Sequence, residues 1–178
     1  MKTAIFAAIA AAAIATPALA QTDPQTDRGE AGAFTGPRLG VTTGYDKMND
    51  HDGATYGASA GYDLAVTPKI RAGVDVGLAD STVHGGGVDN SRDLSGSVRL
   101  GYVVTPRIMG FGKVGYASSR FETSGTGAGA AVEGVRYGGG VEFAATPRTY
   151  ISAEYQRTEY EQNLGGRDAA MVGVGLRF

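Results

Sequence analysis

The chain has no cysteine and no tryptophan in its 178 residues. Without thiols, neither a disulfide framework nor a thiolate metal site can form. Histidine is almost absent too, with only His51 and His84. The formal net charge of −2 is too close to neutral to argue for a nucleic-acid partner. After residue 20 no stretch is long and apolar enough for a membrane helix, which needs about 20 residues. No apolar stripe with a 3.6-residue period persists either, so the chain reads as all-β. Glycine is the excess that needs a reason. The 29 glycines lack the every-third-residue period of collagen and are mixed with Val, Tyr and Leu.

Residues 1–20 read as a secretory signal. Lys2 gives a basic start, "AIFAAIAAAAIA" is apolar but short for a spanning anchor, and Pro17 to Ala20 end it with small residues before Gln21. Residues 21–34, "QTDPQTDRGEAGAF", are polar and aperiodic, and read as a flexible lead-in in the periplasm. A secreted chain without disulfides needs a large core, or a bilayer to solvate its apolar surface.

From residue 35 to 178 apolar alternation hardly stops. Eight runs can be phased, around 37–46, 56–66, 70–78, 94–104, 108–116, 135–143, 150–156 and 170–178. In the fourth, Leu94, Val98, Leu100, Tyr102 and Val104 share a face against Ser95, Ser97, Arg99, Gly101 and Val103. Three connections repeat one motif: Thr67-Pro68-Lys69, Thr105-Pro106-Arg107 and Thr146-Pro147-Arg148. Proline fixes φ and lacks an N–H, which suits a tight turn. The alternate connections, such as "DSTVHGGGVDNSRD" and "SSRFETSGTGAGAAVE", are longer and polar. Three short turns on one side and four long loops on the other make a hairpin repeat of roughly forty residues.

Eight antiparallel strands avoid free edges by closing into a barrel. Alternation alone does not say which face is outside, but four features point the apolar face outward. The other face is mostly Gly, Ser and Ala, with one or two charges per strand, which fits a narrow bore. The apolar face carries no charge, where a lipid-facing Arg or Lys would cost about 2–4 kcal/mol. Its aromatics gather in two rings: Tyr45, Tyr56, Tyr116 and Tyr155 toward the loops, and Tyr62, Tyr102, Phe143 and Phe178 toward the turns. The asymmetry of short turns and long loops matches periplasmic turns and extracellular loops.

With these features the sequence resembles the small eight-stranded outer-membrane β-barrels, the OmpA-like transmembrane domain and its OmpX-like and opacity-type relatives. The chain end "MVGVGLRF" resembles their assembly signal, with Val172, Val174 and Leu176 alternating before the terminal Phe178. The resemblance implies an eight-stranded antiparallel up-and-down transmembrane barrel in the cell outer membrane, with both termini in the periplasm. Outer-membrane lipid, lipopolysaccharide and the assembly machinery are the implied partners, and adhesion through the loops the family expectation. The chain ends at the last strand, so cell-wall anchoring by the peptidoglycan-binding domain of OmpA proteins is not implied. No cofactor is implied.

The inward face is expected to hold Arg38, Asp63, Arg71, Asp75, Arg99, Lys113, Arg136, Glu142 and Glu154. Unpaired, each would carry a desolvation cost of several kcal/mol. Counted from the Thr-Pro turns, Asp63, Arg71 and Glu142 fall at one level and Asp75, Lys113 and Glu154 at a higher one, which points to an ion-pair network. Such a network would fix register and close the bore; pairs that exchange would instead make a narrow channel. A soluble periplasmic carrier with the faces reversed is the remaining class. His84 lies near Asp80, Ser81 and Asp89, but no nucleophile elbow or metal-ligand pair is recognisable, so no enzyme is expected. Asp46, Asp50 and Asp52 fail the EF-hand pattern and read as a solvated acidic loop. "GTGAGA" lacks the strand-to-helix setting of a phosphate cradle.

Overall fold

A computed structural model of the protein describes residues 34–48, 51–81, 88–123, 129–160 and 166–178. The expected signal and most of the lead-in, and the loop position His84, lie outside the described residues. Eight strands follow one another: β1 (Gly36–Met48), β2 (His51–Ala65), β3 (Ile70–Ser81), β4 (Val88–Thr105), β5 (Ile108–Thr123), β6 (Gly129–Ala144), β7 (Thr149–Tyr160) and β8 (Gly166–Arg177). Each pairs antiparallel with its chain neighbours, and β8 pairs with β1 to close an up-and-down barrel.

All eight alternating runs are strands, but the strands reach further toward the loop end than the alternation does. β4 starts at Val88, and β5 continues to Thr123 and β6 from Gly129, with Glu122 opposite Gly129. Much of what reads as long polar loop is therefore paired strand. Ser, Asp and Gly have weak strand preference alone, yet the ladder below already fixes their register, so further pairing needs little extra ordering.

At the other end, the Thr-Pro motif builds each turn. Thr67 Oγ1 accepts from the N–H groups of Lys69 (3.3 Å) and Ile70 (3.0 Å). Thr146 Oγ1 does the same for Arg148 and Thr149, and Thr105 Oγ1 for Arg107. These are side-chain-capped turns, in which the threonine hydroxyl accepts from backbone donors that follow the proline.

The pairing sets the tilt. A walk across the ladder from Arg38 passes Gly61, Asp75, Ser97, Gly115, Arg136, Thr158 and Arg167, and returns to β1 at Met48, ten residues further along. That stagger on eight strands corresponds to a tilt near the top of the usual range of about 35–45°.

Side chains alternate between two environments. Leu39, Val41, Leu78, Leu94, Val98, Val141 and Val172 lie on the outside; Leu100 is 62% exposed and Val174 49%. No helix among the described residues is long and apolar enough to cross a membrane. The reversed carrier is excluded, because the apolar face is the outer one.

The bore explains much of the glycine. Phe111 lies directly across the ladder from Gly140, and Tyr150 from Gly175. A Cβ on Gly140 would come within 3.0 Å of the Phe111 ring, and one on Gly61 within 2.9 Å of the Arg38 guanidinium. Large inward side chains thus lie flat over glycines on the neighbouring strand. At the turn end, Phe34, Val103, Met109 and Ala144 form a buried apolar cluster. Phe34, expected in the flexible lead-in, is 0% exposed. Gly36 has φ of 94°, a left-handed conformation that lets the chain leave this cluster and enter the wall as β1.

Candidate functional site: the charged bore

The inward charges form three groups along the bore. Nearest the turns, Asp63 Oδ2 accepts from Arg38 Nε (3.1 Å) and Arg177 Nη1 (2.9 Å), with Arg99 Nη1 at 3.6 Å. Glu142 accepts from Arg99 Nη2 (2.7 Å) and Arg177 Nη2 (2.5 Å). Asp75 accepts from Arg38 Nη2 (2.6 Å). Three arginines and three carboxylates, all buried, so form one connected group. Arg99 also stacks on Phe111, 3.8 Å from its centroid, and Arg177 lies over Tyr150 at 5.6 Å. An aromatic face supplies negative potential where a guanidinium cannot meet water.

In the middle, Lys113 Nζ meets Glu154 Oε1 at 2.5 Å, and Gln156 Nε2 donates to the same oxygen. Near the loops, Arg136 and Arg167 both pair with Asp93, and Arg167 also with Asp46. Ser81 donates to Asp46 (2.9 Å), Thr158 accepts from Arg136 Nε (2.8 Å), and Ser119 lies between Asp93 and the Tyr160 hydroxyl. Between the outer two groups lies a cavity of about 70 Å³, lined by Thr42, Ser59, Ser95, Ser152, Lys113 and Gln156 among others. It has room for a few waters among polar partners.

Of the charges expected inside, Arg38, Asp63, Asp75, Arg99, Lys113, Arg136, Glu142 and Glu154 belong to these groups, and the placement differs from the expected levels in two places. Asp75, expected level with Lys113 and Glu154, meets Arg38 instead. The two share one ladder row through Gly61, because the stagger lifts each row as it passes around the barrel. Arg71 is turned toward the β2–β3 connection, where its Nη1 donates to the carbonyls of Thr67 (2.8 Å), Pro68 and Ile70. Four further members were not named in advance: Arg177, Asp46, Asp93 and Arg167. Each continues the inward phase of its strand, and phase was the signal that could have found them. Asp46 is thereby corrected: it is fully buried beneath Arg167 and Ser81, not part of a solvated acidic loop. Asp50 and the Asp52 side chain lie outside the described residues. No metal-holding group of three or more His, Cys, Asp or Glu occurs among the described residues.

On the outer wall Tyr155, of the loop-side ring, and Tyr137 are held by charges. Tyr137 donates to Glu159 (2.9 Å) and Tyr155 to Asp168 (2.5 Å), and Arg157 lies 3.3 Å from Asp168. An apolar ring with its hydroxyl in a charged rim is the arrangement of a membrane–water boundary. Of the expected assembly signal, Val172, Val174, Leu176 and Phe178 all face outward. The Phe178 N–H donates to Pro37 O (2.9 Å), fastening the chain end to β1.

The model of the outer membrane protein beta-barrel domain matches residues 5–178. No curated protein matches the sequence. Among solved structures, Ail, the attachment invasion locus protein of Yersinia pestis, superposes with a TM-score of 0.61 at 15% identity, covering 81% of this chain and 97% of that one. The N-terminal β-barrel domain of Pseudomonas aeruginosa OprF gives 0.57 at 18% identity, covering 81% and 99%. The outer membrane enzyme PagL gives 0.54 at 16% identity, covering 79% and 99%. These are likenesses of fold.

Proposed function

The chain belongs to the outer membrane protein beta-barrel family and resides in the outer membrane, and on that footing we propose that it is a closed, non-enzymatic barrel with a structural or surface-interacting role. One observation carries this reading: the bore is crossed by stacked ion-paired groups rather than left open. Arg38, Asp63, Arg99, Glu142 and Arg177 would act as a fixed cross-brace that sets register and blocks a continuous water path. Chemistry on such a scaffold is left to the outer surfaces.

Residues 1–20 serve export, and residues 21–34 lead into the barrel from the periplasmic side, Phe34 being already seated in the turn-end cluster. The Thr-Pro turns and both termini face the periplasm, and the four loops face outward, amid lipopolysaccharide. Val172, Val174, Leu176 and Phe178 are the stripe offered to the assembly machinery. The loop-end strand extensions belong to the end of the barrel that would offer adhesion-type contact.

Fold alone does not separate these roles, since proteins described as an attachment locus and as an enzyme share it. Ser119 Oγ donates to Asp93, whose carboxylate is already shared by Arg136 and Arg167, and this sharing supports a structural use of that hydroxyl. The mid-bore cavity favours a second reading, a narrow channel gated by Lys113 and Glu154. Planar-bilayer recording of the refolded protein tests both. Silence, in wild type and in Glu154→Gln alike, is expected; reproducible unit currents that change in Glu154→Gln would replace the closed barrel by the channel.

A further inference from the structure

The repeated turn is only partly explained by the fold. Thr67, Thr105 and Thr146 cap backbone N–H groups, and the prolines set the bend. The third residue is used through its backbone. Lys69 O accepts from Val103 N (2.8 Å), Arg107 O from Ala144 N (2.9 Å) and Arg148 O from Arg177 N (2.8 Å). Each turn is thus pinned to the next hairpin in the same way. The charge of that residue takes no part: Lys69, Arg107 and Arg148 are exposed and form no ion pair with another described residue. Any residue with a carbonyl would serve the fold, yet a cation stands at all three places.

Their position identifies the partner. Val66 and Ile70 flank the first turn, Val104 and Ile108 the second, and Phe143 precedes the third, all exposed on the outer apolar face. The cations therefore emerge where hydrocarbon gives way to headgroups, beside the ring of Tyr102, Phe143 and Phe178. Neighbouring turns are two strands apart, about 10 Å around the rim. One compact anion cannot span all three, but a sheet of anionic headgroups can. Long basic side chains reach such a layer while their stems lie on apolar surface.

We propose that Lys69, Arg107 and Arg148 form a collar that binds the phosphate headgroups of anionic phospholipids in the leaflet beneath the barrel, which on the orientation given above is the periplasmic one. The collar makes the barrel select its surrounding lipid, and it holds the turn end at a fixed depth.

The test is native mass spectrometry of the refolded mature chain released from nanodiscs of equal phosphatidylglycerol and phosphatidylcholine. Wild type should retain phosphatidylglycerol in excess. Lys69→Gln, Arg107→Gln and Arg148→Gln should each lower that excess by up to about fivefold, and the triple variant should abolish it. These changes leave Thr, Pro and the pinning carbonyls intact, so heat-modified gel migration should stay as in wild type. If a variant fails to fold, salt gives the answer in wild type: 0.5 M sodium chloride should erase most of the excess, and an unaffected excess would overturn the collar. Equal excess in wild type and triple variant would overturn it too. So would wild type pelleting with peptidoglycan sacculi without any phosphatidylglycerol excess, or an excess that arises only after residues 21–33, with Asp23, Asp27 and Glu30, are deleted. The lipid assay does not depend on which leaflet the turns face. That orientation is read separately: Lys69→Cys should resist an impermeant maleimide in intact cells.

Discussion

Replacing Asp63 by asparagine removes one negative charge from the centre of the turn-end group and almost no volume. Asp63 is 1% exposed and faces three guanidinium groups, those of Arg38, Arg177 and Arg99. With charge centres near 4 Å and an effective dielectric of about 20, each attraction is about 4 kcal/mol before desolvation. Deleting one partner of a buried pair costs about 3–5 kcal/mol in practice, because the other charge stays behind. Asp75 and Glu142 remain to hold part of the surplus, and the asparagine carbonyl keeps one acceptor, so the lower figure of about 3 kcal/mol is expected. In urea unfolding from lipid vesicles, with a slope near 2 kcal/mol per molar, the midpoint should fall by about 1.5 M. Adding Arg177→Gln should restore neutrality and recover part of the loss, a coupling of about 1–3 kcal/mol. A loss below about 1 kcal/mol, or no coupling, would refute the cross-brace.

Glu154→Gln should cost less, about 1–2 kcal/mol, because Lys113 borders the polar cavity and can be hydrated there; the same urea titration checks it. Val98→Arg places a charge on the lipid face midway along β4 and should cost about 2–4 kcal/mol, whereas a soluble-barrel core would lose far more or not fold. Phe34→Ala should cost about 3 kcal/mol by opening the turn-end cluster. It should also speed modification of a thiol at Met109→Cys, measured as a labelling rate, since Phe34 covers that site.

The parts of the fold legible in the sequence were those where one face meets hydrocarbon. In β4, Leu94, Val98, Leu100 and Tyr102 must avoid charge, so their phase shows directly, and it places Ser97 and Arg99 inside. Above the lipid that selection stops. Ser91 of β4 pairs with Phe121 of β5 although its own surroundings read as loop, because the partner strand, not local preference, supplies the order. Asp46, Asp93 and Arg167 lie one to three residues beyond the last apolar residue of their alternating runs, so only the phase carried on past Tyr45, Leu94 and Ala170 points to them. The contact of Asp75 with Arg38 was illegible for a different reason. It depends on the ten-residue stagger, which is a property of the closed sheet and is written in no single strand. The Thr-Pro turns were legible throughout, because proline and a capping hydroxyl act locally.

The absence of cysteine makes the central claim directly testable by single thiols carrying an environment-sensitive fluorophore. Ser97→Cys and Val98→Cys lie next to each other on β4 and face opposite sides of the wall. In vesicles containing lipids brominated at mid-chain, the label at residue 98 should be strongly quenched and the label at residue 97 spared. Quenching at residue 97 with protection at residue 98 would contradict a lipid-facing apolar stripe around a charged bore.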